Sequence, residues 1–447
     1  MALTLPAADG LKLPAVLRRA GVTALLRRPS LLAAATILLV CVPTGEKDVA
    51  AAVHITPADL ASLALVGLLA LDLLRGRPAR SAGQAPGLSR PAALVFAAVT
   101  VAAAAATVTS IDPSASLTGF IRLVQIFVLV PAAVLAALRD RTDLRVVLGA
   151  FVLAALIEGV VGAEQYLTGT GASYTGQPIR AVGTFGALDI MAMSGVVSFG
   201  LLAALALGLA ERPGSWGRRA LLATAAFLVF PLAVSFSRGS WIATAVGATV
   251  LLLKADRRLA LRWAALGVAA AIVLVGGLGA GGGGVAERLS SIGSVSGGNE
   301  DHSVSDRYDL WATARAIWAD HPVTGAGPKS FQRLRDSHAP LRLSSGSDAA
   351  DSTIGFTREP LLSPHNMYFL VLSEQGLVGM VAYGGLFLSL LIGCLRRPGA
   401  AGTAAVGLLC WVLVDFLYAD IGGTTTVLTS VILGVATWWA LPARETP

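Results

Sequence analysis

The chain has 447 residues, of which 55% are hydrophobic and only 14% are charged. A soluble domain carries about 25% charged residues, so this composition excludes an ordinary soluble protein and indicates an integral membrane protein. The net charge of +7 arises from short basic clusters between apolar runs, a pattern typical of membrane orientation signals. We therefore expect no nucleic-acid partner.

Long continuous apolar runs predict transmembrane helices, because one helical span needs about 20 apolar residues. We predict an all-α, polytopic membrane bundle of about twelve helices with one large extracytoplasmic loop. The predicted spans, approximate at both ends, are 31–45, 57–74, 91–109, 116–138, 146–166, 184–210, 220–236, 239–253, 263–280, 366–395, 403–419 and 425–441.

The runs divide the chain into five parts. A basic N-terminal segment, 1–30, precedes a membrane domain of about nine helices, 31–280. A polar loop, 281–364, begins with a run of glycines and separates that domain from the C-terminal membrane helices, 365–441. A short tail, 442–447, follows.

Basic residues predict the orientation. The loops at 43–56, 110–115 and 420–424 contain a single basic residue, Lys47, whereas the N-terminal segment and most of the alternate loops are arginine-rich. Positive residues concentrate on the cytoplasmic side, so both termini are predicted inside and the large loop outside. Arginine greatly outnumbers lysine, as in GC-rich bacterial genomes, which predicts a bacterial cytoplasmic membrane.

The predicted seventh and eighth spans meet at Ser235–Ser240 with almost no loop, and Arg238 lies in that turn. Arginine at the centre of a membrane helix costs about 2.5–3.5 kcal/mol, but at an outer turn it faces water or an anion. One alternative is that its side chain extends to lipid headgroups. Flanking serines and a glycine would let backbone N–H groups approach the same anion, which favours anion binding.

Within the polar loop, Asp306–Asp320 has the spacing of an amphipathic helix that Asp306 caps and His321-Pro322 ends. This helix carries Arg307 and an aromatic face suited to the membrane interface. The polar, glycine-containing stretch Ser344–Thr357 predicts an irregular loop.

His365 lies where the polar loop ends and an apolar run begins. Histidine is the side chain that exchanges a proton most readily near neutral pH. One candidate base and two candidate anion-binding arginines indicate an enzyme acting on a phosphorylated, lipid-linked substrate. The three cysteines form no Cys-x-x-Cys pair, and the loop histidines lack metal-ligand spacing, so we predict neither a metal site nor a cofactor.

Three segments resemble the O-antigen ligase and polymerase superfamily. They are Ser237–Trp241, the stretch from Asp306 through Pro322 to Phe331, and Pro364–Asn366 followed by Glu374–Gly379. The resemblance extends over roughly 180–395. It implies a multi-helix fold of the GT-C type that transfers a glycan, without nucleotide sugars or a catalytic metal, from a polyprenyl diphosphate carrier to a hydroxyl acceptor outside the cell.

By that resemblance, Arg238 and Arg307 hold the diphosphate and His365 acts on the acceptor hydroxyl. Asn366 and Glu374 are candidates to orient the histidine ring, although Asn366 has the alternative role of capping the next helix.

Arg180 begins a further segment similar to the family. The family pattern continues there with a small polar motif containing Asn, where this chain has Ala187-Leu188-Asp189. Arg180 is therefore either a supporting residue or an ordinary outer-loop arginine.

The sequence does not decide which hydroxyl acceptor receives the glycan. A lipid-anchored core sugar makes the protein a ligase, a second carrier-linked glycan makes it a polymerase, and a Ser or Thr side chain makes it a protein O-oligosaccharyltransferase. A flippase or transporter of polyprenyl-linked glycans is the alternative from another class, for which repeated halves and broken mid-membrane helices are expected. A non-catalytic assembly subunit is a further alternative. The expected partners are the donor, the acceptor and membrane lipids.

Overall fold

The computed structural model describes most of the chain. The described residues are 28–43, 56–75, 88–174, 179–186, 189, 191–258, 302–340, 343, 346–351, 355–423 and 425–442.

Most of the described chain is helical. In chain order they are α1 (Ser30–Leu38), α2 (Pro57–Leu74), α3 (Arg90–Val108), α4 (Pro113–Val124), α5 (Val130–Ala137), α6 (Arg141–Thr168), α7 (Ala192–Ala210), α8 (Trp216–Val234), α9 (Arg238–Ala255), α10 (His302–Asp320), α11 (Ser330–His338), α12 (Met367–Arg396), α13 (Ala400–Asp415) and α14 (Thr426–Ala440). A π-helical turn, Gln125–Leu129, joins α4 to α5.

Seven helical stretches among the described residues are long and apolar enough to cross a membrane: α2, α3, α4 with α5, α6, α7, α8 and α12. The predicted helical membrane architecture is thereby confirmed. Three predicted spans correspond to shorter apolar helices at Ser30–Cys41, Ala400–Asp415 and Thr426–Ala440. The predicted span 239–253 corresponds to α9, which is helical but is not among these seven stretches. The predicted span 263–280 lies outside the described residues, so the count of twelve stays a prediction, as does the division into five parts.

Small residues bring the central helices close together. Gly200 of α7 faces Ala155 of α6, and a side chain at Gly247 of α9 would stand 2.8 Å from the carbonyl oxygen of Gly407 in α13. Membrane helices pack by close van der Waals contact, for which small residues leave room. This packing fixes α9, whose first residue is Arg238, against its neighbours.

A second, smaller core holds α10. Leu310, Ala314 and Ile317 lie on one face of this helix at helical spacing and are fully buried, together with Ala326 and Phe331. The predicted helix is thus present. It begins at His302 rather than at Asp306, so Asp306 lies inside the helix and does not cap it.

The described residues of the stretch predicted as an irregular loop lie in strands instead. β1 (Ala172–Tyr174), β2 (Gly346–Asp351) and β3 (Gly355–Pro360) make one antiparallel sheet in that order. Asp351 pairs with Gly355 across the β2–β3 hairpin and with Ala172 on the other side. The polar composition concealed these strands, because their pairing is made by backbone groups and β1 comes from a distant part of the sequence.

Candidate active site

The turn between α8 and α9 presents Arg238. As the sequence predicts, almost no loop separates the two helices: α8 ends at Val234 and α9 begins at Arg238. The hydroxyl of Ser237 caps α9 by accepting the backbone N–H of Ser240 at 3.3 Å. Phe236 has a φ of +51°, an uncommon conformation for a residue with a bulky side chain. The strained turn therefore places Arg238 in the first turn of a helix.

Buried hydroxyl groups fix α9 to two neighbouring helices. Ser240 and Ser194 of α7 lie 2.8 Å apart, Thr244 donates to Ser198 at 2.8 Å, and the indole N–H of Trp411 in α13 donates to Thr244 at 3.0 Å. Inside a membrane these side chains have little water to bind, so satisfied hydrogen bonds hold helices together. The network restricts movement of the helix that carries Arg238.

His365 occupies a strained loop. Its φ is +46°, a left-handed conformation that is costly for a side chain with a Cβ and that clusters at functional sites. The backbone N–H of His365 donates to the hydroxyl of Ser363 at 3.3 Å, and the carbonyl of Pro364 accepts the indole N–H of Trp311 at 3.1 Å. The ring of Trp311 stacks on Phe369 with 5.6 Å between centroids. Helix α10 thus holds the histidine loop from one side.

Asn366 caps α12. Its side-chain oxygen accepts the backbone N–H of Phe369 at 3.1 Å, while its amide nitrogen donates to the carbonyl of Leu417 at 3.0 Å. The backbone N–H of Met367 lies 2.9 Å from the carbonyl oxygen of Phe416 and 3.0 Å from that of Ala419. The capping alternative for Asn366 is therefore what the structure contains, and the same residue ties the histidine loop to the turn after α13.

That turn, residues 416–423, also contacts the α8–α9 turn. A side chain placed at Gly239 would stand 3.4 Å from Tyr418, which therefore packs directly against the backbone beside Arg238. The 416–423 turn thus bridges the element that carries Arg238 and the loop that carries His365.

Charged groups meet around the His365 ring. Burial lowers the pKa of His365, the negative charge of Asp420 opposes that effect, and the positive charge of Arg307 lowers the pKa further. Arg307 and Asp420 also act electrostatically on Asp415, the last residue of α13. Among the described residues, none forms a hydrogen bond with the ring nitrogens of His365. The ring nitrogens therefore keep their hydrogen-bonding capacity, and the charge of a guanidinium group acts on the ring.

A break in α12 receives the loop after α10. Gly376 has φ +61° and ψ −157°, a combination that is essentially confined to glycine. The backbone N–H groups of Leu377 and Val378, which lose their helical partners there, donate to the carbonyls of Pro322 and Val323 at 3.0 and 3.1 Å. Two bonds run the other way, from Ala326 to Ser373 and from Gly327 to Glu374, at 3.0 and 2.9 Å. The loop and the interrupted helix therefore supply each other's missing backbone hydrogen bonds.

Glu374 supports this junction. Its carboxylate accepts the backbone N–H of Phe331 at 3.2 Å, in the first turn of α11. Gly325 packs so closely on the Glu374 carbonyl that no side chain fits there. Gly325 therefore allows close backbone packing, and the contacts of Glu374 are those of a residue that holds the loop.

Arg180 lies near the α8–α9 turn through its backbone. It pairs with Ala172 in an isolated β-bridge, and the next residue, Ala181, donates its N–H to the carbonyl of Val234 at 3.1 Å. The structure thus brings the segment of Arg180 beside the turn of Arg238. Arg307 and His365 are linked by the electrostatic effect of the arginine on the histidine ring.

Asp415 and Asp420 were missed from the sequence. Both follow a long apolar run at the predicted outer end of α13. An ionisable residue at such a position is a functional candidate by default, because its desolvation is costly. That signal would have identified them. The described residues contain no group of three or more His, Cys, Asp or Glu side chains arranged to hold a metal ion.

Comparison with protein families places these residues in a known context. Residues 222–384 match the family model described as O-antigen ligase. This part of the chain is therefore similar to the O-antigen ligase family. The resemblance to the O-antigen ligase and polymerase superfamily is thereby confirmed over this region, which includes Arg238, Arg307 and His365 and excludes Arg180 and Asp420. No curated protein matches the chain.

Proposed function

We propose that the protein is a membrane glycosyltransferase that moves a glycan from a polyprenyl diphosphate carrier to a hydroxyl acceptor. We further propose that it acts on the outer face of a bacterial cytoplasmic membrane with both termini inside. One observation carries the proposal. His365, whose ring nitrogens bond to no described residue, lies within the electrostatic influence of Arg307, and both belong to the O-antigen ligase region.

In this proposal Arg238 and Arg307 hold the diphosphate. A guanidinium group binds phosphate oxygens through two parallel hydrogen bonds and stays charged at any physiological pH. Fixed positive donors stabilise the charge that develops on a leaving diphosphate. Arg238 also begins α9, where backbone N–H groups and the helix dipole favour an anion.

His365 is the proposed general base. A lowered pKa keeps its ring neutral at pH 7, and a neutral imidazole accepts the proton of the attacking hydroxyl. The acceptor oxygen bonds to the anomeric carbon while the bond from that carbon to the diphosphate oxygen breaks, and the diphosphate keeps the electron pair. A single displacement of this kind inverts the anomeric configuration.

Purified protein in lipid nanodiscs tests the reaction. Supplied with a polyprenyl diphosphate-linked oligosaccharide and candidate acceptors, it should release polyprenyl diphosphate and form a glycoside of inverted configuration, read by NMR. Retention of configuration would contradict the single displacement. Movement of the carrier-linked glycan across the bilayer without a new glycosidic bond would support the flippase alternative and overturn the enzyme proposal.

Glycoconjugates that accumulate in a deletion strain identify the acceptor class. Carrier-linked long chains indicate a missing ligase, single carrier-linked repeat units indicate a missing polymerase, and unglycosylated protein acceptors indicate a missing protein O-oligosaccharyltransferase. Complementation with the His365→Ala variant controls for loss of the protein itself. An unchanged glycoconjugate profile counts against all three.

A further inference from the structure

Asp420 occupies the turn that joins the parts of the candidate active site. Its carboxylate oxygen Oδ2 is buried and has no hydrogen-bond partner among the described residues. A buried carboxylate oxygen without a hydrogen-bond partner loses hydration that no hydrogen bond replaces. Such a group is expected where its negative charge stabilises a positive charge that forms during the reaction.

The backbone places Asp420 close to His365. The carbonyl that directly precedes Asp420, that of Ala419, accepts the N–H of Met367 at 3.0 Å, two residues after the histidine. The side chain of Asn366 binds the same turn through Leu417. The carbonyls of residues 416, 417 and 419 are thereby bound to the start of α12, and Asp420 follows them.

Five charged or titratable groups act on one another here: His365 itself, Arg307 from α10, Glu374 from α12, Asp415 from the end of α13 and Asp420 from the 416–423 turn. Two charges act on the His365 ring, and the effect of Asp420 is larger than that of Arg307. Asp415 is under the influence of Arg307. Asp420 is therefore the carboxylate matched to the histidine.

When His365 takes a proton, the resulting imidazolium lies beside Arg307, and two like charges in a poorly hydrated site repel each other. We propose that Asp420 is a positioning residue whose carboxylate stabilises the imidazolium of His365 while the acceptor hydroxyl loses its proton. This inference rests on the proposed function. The proton passes from the hydroxyl to the ring, the new carbon–oxygen bond forms, and the diphosphate leaves with the electron pair of the broken bond.

The test compares Asp420→Asn with Asp336→Asn in the full-length protein. Asp336 is the control, because its side chain is 87% exposed on α11 and its ion pair is with Arg335, not with a residue of the candidate site. Diethyl pyrocarbonate modifies neutral imidazole, so the modification rate of each histidine against pH, followed by peptide mass, reports its titration. His338 serves as an internal reference, since its hydrogen bond with Asp320 raises its pKa.

We expect Asp420→Asn to move the titration midpoint of His365 to lower pH, to leave that of His338 unchanged, and to lower kcat about ten-fold or more. Asp420→Glu, which keeps the charge, should restore part of the rate and the midpoint. Should the Asn variant fail to fold, Asp420→Ser is measured in its place.

The outcomes separate the two proposals. If the wild-type protein transfers no glycan, the proposed function fails. If the wild-type protein transfers glycan and Asp420→Asn changes neither kcat nor the His365 midpoint, only the role of Asp420 is overturned. A fall in kcat with an unchanged midpoint also overturns it, because a purely structural defect leaves the histidine titration where it was.

Discussion

The indole N–H of Trp311 donates to the carbonyl of Pro364 at 3.1 Å, immediately before the strained residue His365. Trp311 comes from the polar loop, one helical turn after Arg307, whereas Pro364 begins the motif that leads into α12. One hydrogen bond therefore couples a proposed phosphate-binding helix to the proposed catalytic base.

Trp311→Phe keeps an aromatic ring on Phe369 and removes the N–H donor. One neutral hydrogen bond is worth about 1 kcal/mol, so kcat should fall about five-fold, with the KM for the donor unchanged. Trp318→Phe is the matched control, because the Trp318 indole makes the same kind of bond to the carbonyl of Pro322 at 3.1 Å. Steady-state transfer rates of both variants check this, and equal losses would argue against a specific effect on His365.

Arg238→Lys should lower the transfer rate about ten- to hundred-fold. Lysine keeps the charge but cannot form two parallel hydrogen bonds, and a hydrogen bond to a charged group contributes about 1.5–3 kcal/mol. Arg315→Lys, at an exposed position of α10, is the control. The measurement is kcat/KM for the carrier-linked donor. Near-normal turnover of Arg238→Lys would indicate an arginine that only contacts lipid headgroups.

The transfer rate should stay constant from neutral pH to below the ordinary histidine pKa of 6.5. A general base works in its neutral form, and burial together with Arg307 lowers the pKa of His365. Protonation therefore inactivates it only at more acidic pH. Initial rates between about pH 5 and 8 locate the acidic limb, and a midpoint above 6.5 would contradict the assignment.

His365→Ala should reduce transfer about 10²–10⁴-fold, the usual contribution of general-base catalysis. Membrane insertion and detergent-solubilised stability should stay those of the wild-type protein, since no described residue hydrogen-bonds the ring nitrogens. Activity assays are paired with thermal unfolding for this variant. Undiminished transfer would remove His365 from the mechanism.

Gly376→Ala should destabilise the protein. The backbone conformation of Gly376 strains a residue with a Cβ, and that Cβ would collide with the carbonyl of Val323. The strain alone costs about 1–3 kcal/mol. Gly384→Ala is the control in the same helix, where a Cβ meets no atom within 4 Å. Thermal unfolding in detergent should show a lower midpoint for Gly376→Ala only.

Much of the fold follows from local sequence. Apolar runs of about 20 residues have to become helices in a membrane because their backbone groups find no water there. The helical architecture was therefore predictable, and so was the abrupt junction at Arg238. The polar motifs around Arg238, Arg307 and His365 could also be recognised from the sequence, because ionisable side chains are rare in an apolar background.

Other features depend on residues that are far apart in the chain, and only the tertiary structure decided them. The sheet needs Ala172 beside Asp351, and the break at Gly376 needs the carbonyls of Pro322 and Val323. Asp420 gains its proximity to His365 from backbone bonds between Met367 and the 416–423 turn. Sequence by itself determined that the long apolar runs are helical and which side chains are chemically capable. Packing between distant segments decided which of those side chains meet, because a contact energy exists only once both partners are in place.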